Sequence, residues 1–236
     1  PALLAADQRQ WRGVVAVLGA VAVATTLIAA GIITLDPTHV ARWTAAAIVV
    51  VTVGYFSYLL AFAGLDRTER RRVLVVLALF VSSALFWAGY EQAGSSLNLF
   101  AERFTDRMVG GFEIPAGWFQ APSSLYILLF APAFSALWIH LGRRNLDPAA
   151  PAKFALGLLL LGLGFVVMVG AATVVASGRL AGPQWLLLAY LLHCFGELCL
   201  SPVGLSTVTK LAPARLVGQM MGVWFLGSSL GKLLAG

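Results

Sequence analysis

Long apolar stretches separated by short polar breaks run the length of the chain. Seven can be delimited: Trp11–Ile33, Ala41–Leu65, Val73–Phe100, Gly117–Leu141, Phe154–Ser177, Pro183–Leu211 and Leu216 to the end. An apolar run of about 18 or more residues is long enough to cross the bilayer hydrocarbon as a helix. The roughly ten-residue alternation of membrane-barrel strands is not seen. The pattern predicts an all-α, polytopic membrane protein. The breaks carry turn chemistry: "LDPTH" (Leu35–His39), "GGFEIPAGW" (Gly110–Trp118) and "SGRLAGP" (Ser177–Pro183) alternate with "GLDRTERRR" (Gly64–Arg72), "RRNLDPAAP" (Arg143–Pro151) and "KLAPAR" (Lys210–Arg215).

Composition agrees. Of the 236 residues, 60% are hydrophobic and only 11% charged, against about 25% charged in soluble domains. The distribution of the net charge of +6 orients the chain. With the N-terminus inside, eleven cations (Arg9, Arg12, Arg67, Arg70, Arg71, Arg72, Arg143, Arg144, Lys153, Lys210, Arg215) fall on inner segments. Four (Arg42, Arg103, Arg107, Arg179) fall on outer ones, and Lys232 lies within the last span. That asymmetry is the positive-inside rule. The cations share no face, which excludes nucleic acid as a partner. His39 and His140 sit at membrane ends.

Residue 1 is Pro, no signal-peptide n-region precedes the first span, and the last span stops at "LGKLLAG". The sequence is expected to be part of a larger protein. The first two spans carry no charge between Gly13 and Leu35 or between Trp43 and Leu65, and form a hairpin that leaves and re-enters the inner side. Cys194 and Cys199 are offset by about 7.5 Å along a helix and about 140° around it, too far for a disulfide. No Cys/His ligand spacing points to a metal.

Two acids stand out inside the spans, where an ionised carboxylate costs at least about 2.5–3.5 kcal/mol. Glu91 shares helical spacing with Trp87, Gly94/Ser95 and Asn98, which predicts one wet face. Glu197 lies near the middle of its span in a stripe with His193, Ser201, Gly204 and Thr207. Pro202 is expected to bend that helix, and a bent helix with a mid-membrane acid is a recurring transporter device. Weaker polar stripes are Met220, Trp224, Ser228 and Gly231 in the last span, and Gln120, Ser123/Ser124 and Tyr126 in the fourth. Ser201 lies about 12 Å from His193 along the helix, and no nucleophile–base pair or phosphate-cradling loop is legible.

The stretches "FWAGYEQAGSSLNLFAERFTDR" and "GELCLSPVGLSTVTKLAPARLVGQMMGVWFLGSSLG" closely resemble the proton-dependent oligopeptide transporter family of the major facilitator superfamily. The resemblance implies that residues 1–72 form an inserted transmembrane hairpin with its inner linker. Residues 73–236 then form the C-terminal bundle, helices seven to eleven, with the twelfth missing. It implies import of di- and tripeptides by proton symport and alternating access, driven by the proton gradient with no cofactor, in a multi-pass protein of the inner (plasma) membrane. The partners it implies are peptide, protons, the lipid bilayer and the missing N-terminal six-helix bundle.

By the same resemblance, Glu91 takes part in proton coupling and in a gating ion pair with a first-helix Arg. Glu197 holds the peptide's amino terminus and pairs with a fourth-helix Lys. Trp87, Tyr90, Ser201, Trp224 and Ser228 belong to the substrate pocket. The cationic partners of both acids are expected to lie outside this chain. Two departures qualify the match. Ser123 stands in "WFQAPSSLY" where many bacterial relatives have Asn, and Ser makes fewer hydrogen bonds. "AERF" (Ala101–Phe104) imitates the family's first-helix signature, but Leu99 occupies the first acidic position. Two other classes are open: the same fold carrying another small anionic or amphoteric solute, or a non-transporting anchor or assembly subunit. Aligned polar stripes argue against the last.

Overall fold

The computed structural model describes residues 36–235 throughout and, upstream, residues 15, 18–19, 22–23, 25–27 and 30. The expected first span, Trp11–Ile33, lies largely outside the described residues. The chain divides into two compact units, Pro1–Thr44 and Ala45–Gly236, with the boundary inside the helix Pro37–Phe62.

From residue 36 on, where the structure is described continuously, seven helices follow one another: α1 (Pro37–Phe62), α2 (Arg67–Tyr90), α3 (Ser96–Phe104), α4 (Ala121–Arg143), α5 (Ala150–Ala176), α6 (Gln184–Leu211) and α7 (Val217–Ala235). Among the described residues, five segments are long and apolar enough to cross a membrane: Thr38–Phe62, Arg67–Phe104, Ala116–Arg143, Ala150–Ala176 and Gln184–Leu211. The seventh expected span folds as α7, which carries Gln219, Ser228, Ser229 and Lys232 and is not among the five.

Local chemistry sets the helix starts. Asp36 accepts from both the backbone N–H and the hydroxyl of Thr38 at 2.8 and 2.7 Å, and those bonds hold its carboxyl below the usual carboxylate range. Asp66 and Glu69 make a reciprocal capping box at α2. Arg215 then straps this end of the bundle, reaching the Ala63 carbonyl at 3.2 Å and Glu69 at 3.3 Å. At the start of α5, Lys153 is buried, pairs with Asp147 at 2.7 Å and lies over the Trp138 ring.

Small residues let the helices close on one another, as packing in lipid requires. α5 and α6 cross at Gly157 and Gly196; a Cβ on Gly157 would sit 2.9 Å from the Gly196 carbonyl oxygen. α7 lies along α2 through Gly227 against Phe80 and Gly231 against Ala84 and Trp87. One apolar cluster gathers Phe56, Phe80, Phe86, Phe154 and Trp224. A second, around Leu97, Phe119, Met168 and Tyr190, fills the other end of the bundle.

The loop between α3 and α4 is not purely irregular. β1 (Met108–Val109) pairs antiparallel with β2 (Phe112–Glu113) across Gly110 and Gly111, whose φ values of 60° and 86° suit the turn to glycine. Arg107 pairs with Glu113 and donates to the Ile114 carbonyl. The backbone of Ala181 exchanges hydrogen bonds with Phe104 and Asp106, tying this loop to the α5–α6 turn.

Candidate functional site

The expectation of one continuous helix over Val73–Phe100 is corrected here. α2 ends at Tyr90, a single 3-10 turn covers Glu91–Ala93, and α3 starts at Ser96. The sequence "EQAGSS" explains the break. The hydroxyls of Ser95 and Ser96 both donate to the Gln92 side-chain oxygen, at 3.1 and 2.6 Å, which offers the chain local bonds that compete with a continuing helix. The expected stripe is therefore divided. Trp87 and Glu91 stay together, while Asn98, on α3, meets Gln120 at 3.4 Å.

The break places Glu91 against α7. Lys232 Nζ lies 3.0 Å from Glu91 Oε1 and 4.9 Å from the Trp87 ring centroid. Gln92 Nε2 and Ser95 Oγ both donate to the Ala235 carbonyl at 3.2 Å. The cation that faces Glu91 is thus in this chain, contrary to the expectation that both acids find their partners elsewhere. Sequence reading counted Lys232 only as a stray charge. The signal that would have found it is its position one turn beyond Ser228 and two beyond Trp224, a cation set deep in its apolar run.

Glu197 stands midway along α6, which runs unbroken through Pro202. Its Oε2 is buried with no hydrogen-bond partner. The Tyr90 hydroxyl stands within polar reach of the Glu197 carboxyl group, and Lys232 and Glu91 act on it through their charges. Tyr90 is held by aromatic contacts, its ring stacked on Phe86 at 5.7 Å and edge-on to Trp87 at 5.4 Å. The Tyr90 hydroxyl is 3.8 Å from Cys194 Sγ, and Cys194 donates to the Ser123 carbonyl at 3.4 Å. Ser123 thus joins the cluster through its backbone, and Cys194 is the link.

The remaining site candidates lie farther along their helices. Ser201 is half-buried one turn beyond Glu197. Ser228 is half-buried and donates back to the Phe225 carbonyl at 2.9 Å. Trp224 is buried with its ring 5.9 Å from Phe154 and over Gly204. His193 is 1% exposed and its ring fits the notch at Gly164, 5.0 Å from Phe165. A cavity of about 270 Å³ in the same unit lies elsewhere, between α1 and α2, lined by Thr52, Phe56, Ser57, Leu77, Phe80 and Leu230 among others. It is apolar and touches neither acid.

Two carboxylates, one ammonium and two electron-rich rings therefore meet where α2, α6 and α7 converge. With both acids ionised the cluster carries a net charge of −1. A proton, or the ammonium group of a solute, would neutralise it. Among the described residues, no group of three or more His, Cys, Asp or Glu side chains could hold a metal ion.

Residues 14–236 match the family described as PTR2, the POT family. The chain is 47% identical to the peptide transporter YePEPT of Yersinia enterocolitica over 98% of its own length and 46% of that protein's. It is 34% identical to the dipeptide and tripeptide permease B of Salmonella typhimurium, over 80% of this chain and 38% of the permease. Its fold matches the crystal structure of the peptide transporter POT in complex with sulfate, with a TM-score of 0.80 and 35% identity, over 97% of this chain and 46% of that one. A POT family transporter in complex with 5-aminolevulinic acid gives a TM-score of 0.77 at 29% identity, over 96% of this chain and 47% of that one. The chain spans less than half the length of each of these relatives.

Proposed function

This chain belongs to the POT family, and from that premise we propose that the protein containing it is a proton-coupled symporter that imports di- and tripeptides. Its architecture is that of half of a POT transporter of the major facilitator superfamily, a multi-pass membrane protein. Our reading of the organisation assigns residues 1–72 to an inserted transmembrane hairpin and its inner linker. Residues 73–236 are the C-terminal bundle, in which α2 with α3 is the seventh helix, α4 the eighth, α5 the ninth, α6 the tenth and α7 the eleventh. The N-terminal bundle completes the transport path, and rocking of one bundle against the other moves the site from one side of the inner (plasma) membrane to the other. The proton gradient drives the cycle and no cofactor is needed.

The observation that carries this reading is the buried Glu197 Oε2, which has no hydrogen-bond partner. A buried polar atom without a partner is costly, and a peptide's ammonium group is a donor of the right charge. Glu197 holds that group, beside Tyr90. Glu91, half-buried and already paired, takes the transported proton. Trp87, Ser123, Ser201, Trp224 and Ser228 line the path of the peptide backbone and side chains. A second reading, transport of another small anionic or amphoteric solute, draws on the same cluster of opposite charges, and is supported by the POT family transporter found in complex with 5-aminolevulinic acid.

The test uses the full-length transporter in liposomes. Glu91→Gln should abolish peptide accumulation against a proton gradient while peptide-for-peptide exchange continues without one. Accumulation at the wild-type level would remove Glu91 from proton coupling.

A further inference from the structure

Glu91 is met by a cation from its own bundle. Lys232 reaches it from α7 at 3.0 Å and rests over the Trp87 ring. Around this pair the backbone is also fastened, because Gln92 and Ser95 donate to the carbonyl of Ala235, three residues after Lys232. The contact between α2 and α7 is close here, with Gly231 seated against Ala84 and Trp87. A Cβ on Gly231 would lie 2.5 Å from the Ala84 carbonyl oxygen, so only glycine lets the two helices come this close.

We infer that Lys232 is a positioning residue for proton coupling: it holds the ionised Glu91 carboxylate against α7, and a proton on Glu91 releases it, loosening the end of the α2–α7 contact. The inference rests on the proposed role of Glu91. The other titratable groups around the pair are Glu197 on α6, on which both of its members act, and Tyr90 on α2, with Cys194 and His193 of α6 against Tyr90. Of these only Glu197 brings a charge of the sign that Lys232 would seek once Glu91 is neutral, and Lys232 already acts on it electrostatically. Release from Glu91 therefore turns the ammonium toward the second acid, so that the protonation state of one carboxylate is felt at the other through one side chain.

An ordinary ion pair of this exposure, with Lys232 at 54% and Glu91 at 34%, would add only a little stability. The experiment must therefore read coupling and not folding. In the full-length transporter in liposomes, Lys232→Met should lower gradient-driven peptide accumulation by about two- to fivefold, the range of a half-exposed ion pair. Exchange of the same peptide without a gradient should fall by clearly less than accumulation does. Lys232→Arg should restore accumulation, since a guanidinium can span the same gap. Lys232→Met placed on Glu91→Gln should add no further loss. Melting temperatures of the purified variants check that each is folded. Wild-type accumulation by Lys232→Met, an equal loss of exchange, or an additive loss on Glu91→Gln would overturn the inference. Normal accumulation by Glu91→Gln alone would instead sink the functional reading, and this inference with it.

Discussion

The crossing of α5 and α6 lends itself to a quantitative test, because it sits one residue from Glu197. A Cβ added to Gly196 would lie 2.7 Å from the Gly157 carbonyl oxygen and 3.1 Å from Phe86 Cε2. The first of these is backbone and cannot rotate away, so Gly196→Ala must push the two helices apart by roughly 0.7 Å to reach an ordinary contact. Overpacking of this kind costs about 1–3 kcal/mol. The same displacement carries Glu197 away from Tyr90, so binding should weaken along with stability. Gly162→Ala on α5 is the control, since nothing lies within 4 Å of its added Cβ and alanine is the better helix former. Thermal unfolding of the purified full-length variants should place Gly196→Ala several degrees below wild type, with Gly162→Ala at or above it. Equal stability of the two variants would show that the helices are not in contact at this crossing.

Two further outcomes follow from the ends of the helices. Asp147→Asn should destabilise by about 1–3 kcal/mol, since it leaves the buried Lys153 ammonium without its anion; Lys153→Met, which removes the charge and keeps the volume, should cost less, and the reverse order in thermal unfolding would contradict this. In intact cells, an impermeant thiol reagent added outside should reach Met108→Cys and Arg179→Cys but not Arg71→Cys or Leu146→Cys; Cys194 and Cys199 are buried, and labelling at Arg71→Cys would reverse the orientation.

The five spans between Ala41 and Leu211, their order and the two acids were legible because membrane helices announce themselves by length and hydropathy, and a carboxylate inside one is costly. What escaped was local geometry. The break at Glu91–Ser95 depends on serine hydroxyls reaching Gln92, a competition that helical periodicity does not weigh. The ribbon at Met108–Glu113 is too short to leave a strand pattern. Lys232 was seen but unassigned, because pairing it with Glu91 needs the distance between α2 and α7, which comes from Gly227 and Gly231 and not from either charged residue. Cys194 and Ser123 met for the same reason, through a helix contact that neither residue determines. The stripe reading served better on α6: Glu197 and Ser201 keep their common face because Pro202 does not interrupt the helix.

The central claim is that Glu197 receives the amino terminus of a peptide, and binding to Glu197→Gln in the full-length transporter tests it most directly. Affinity should be measured for a dipeptide with a free amine and for the same dipeptide N-acetylated. A hydrogen bond to a charged group contributes about 1.5–3 kcal/mol, so the variant should bind the free-amine peptide about ten- to a hundredfold more weakly. The acetylated peptide lacks the ammonium that Glu197 would hold, and should be nearly indifferent to the change. Equal loss for both peptides would contradict the account and return Glu197 to a structural role.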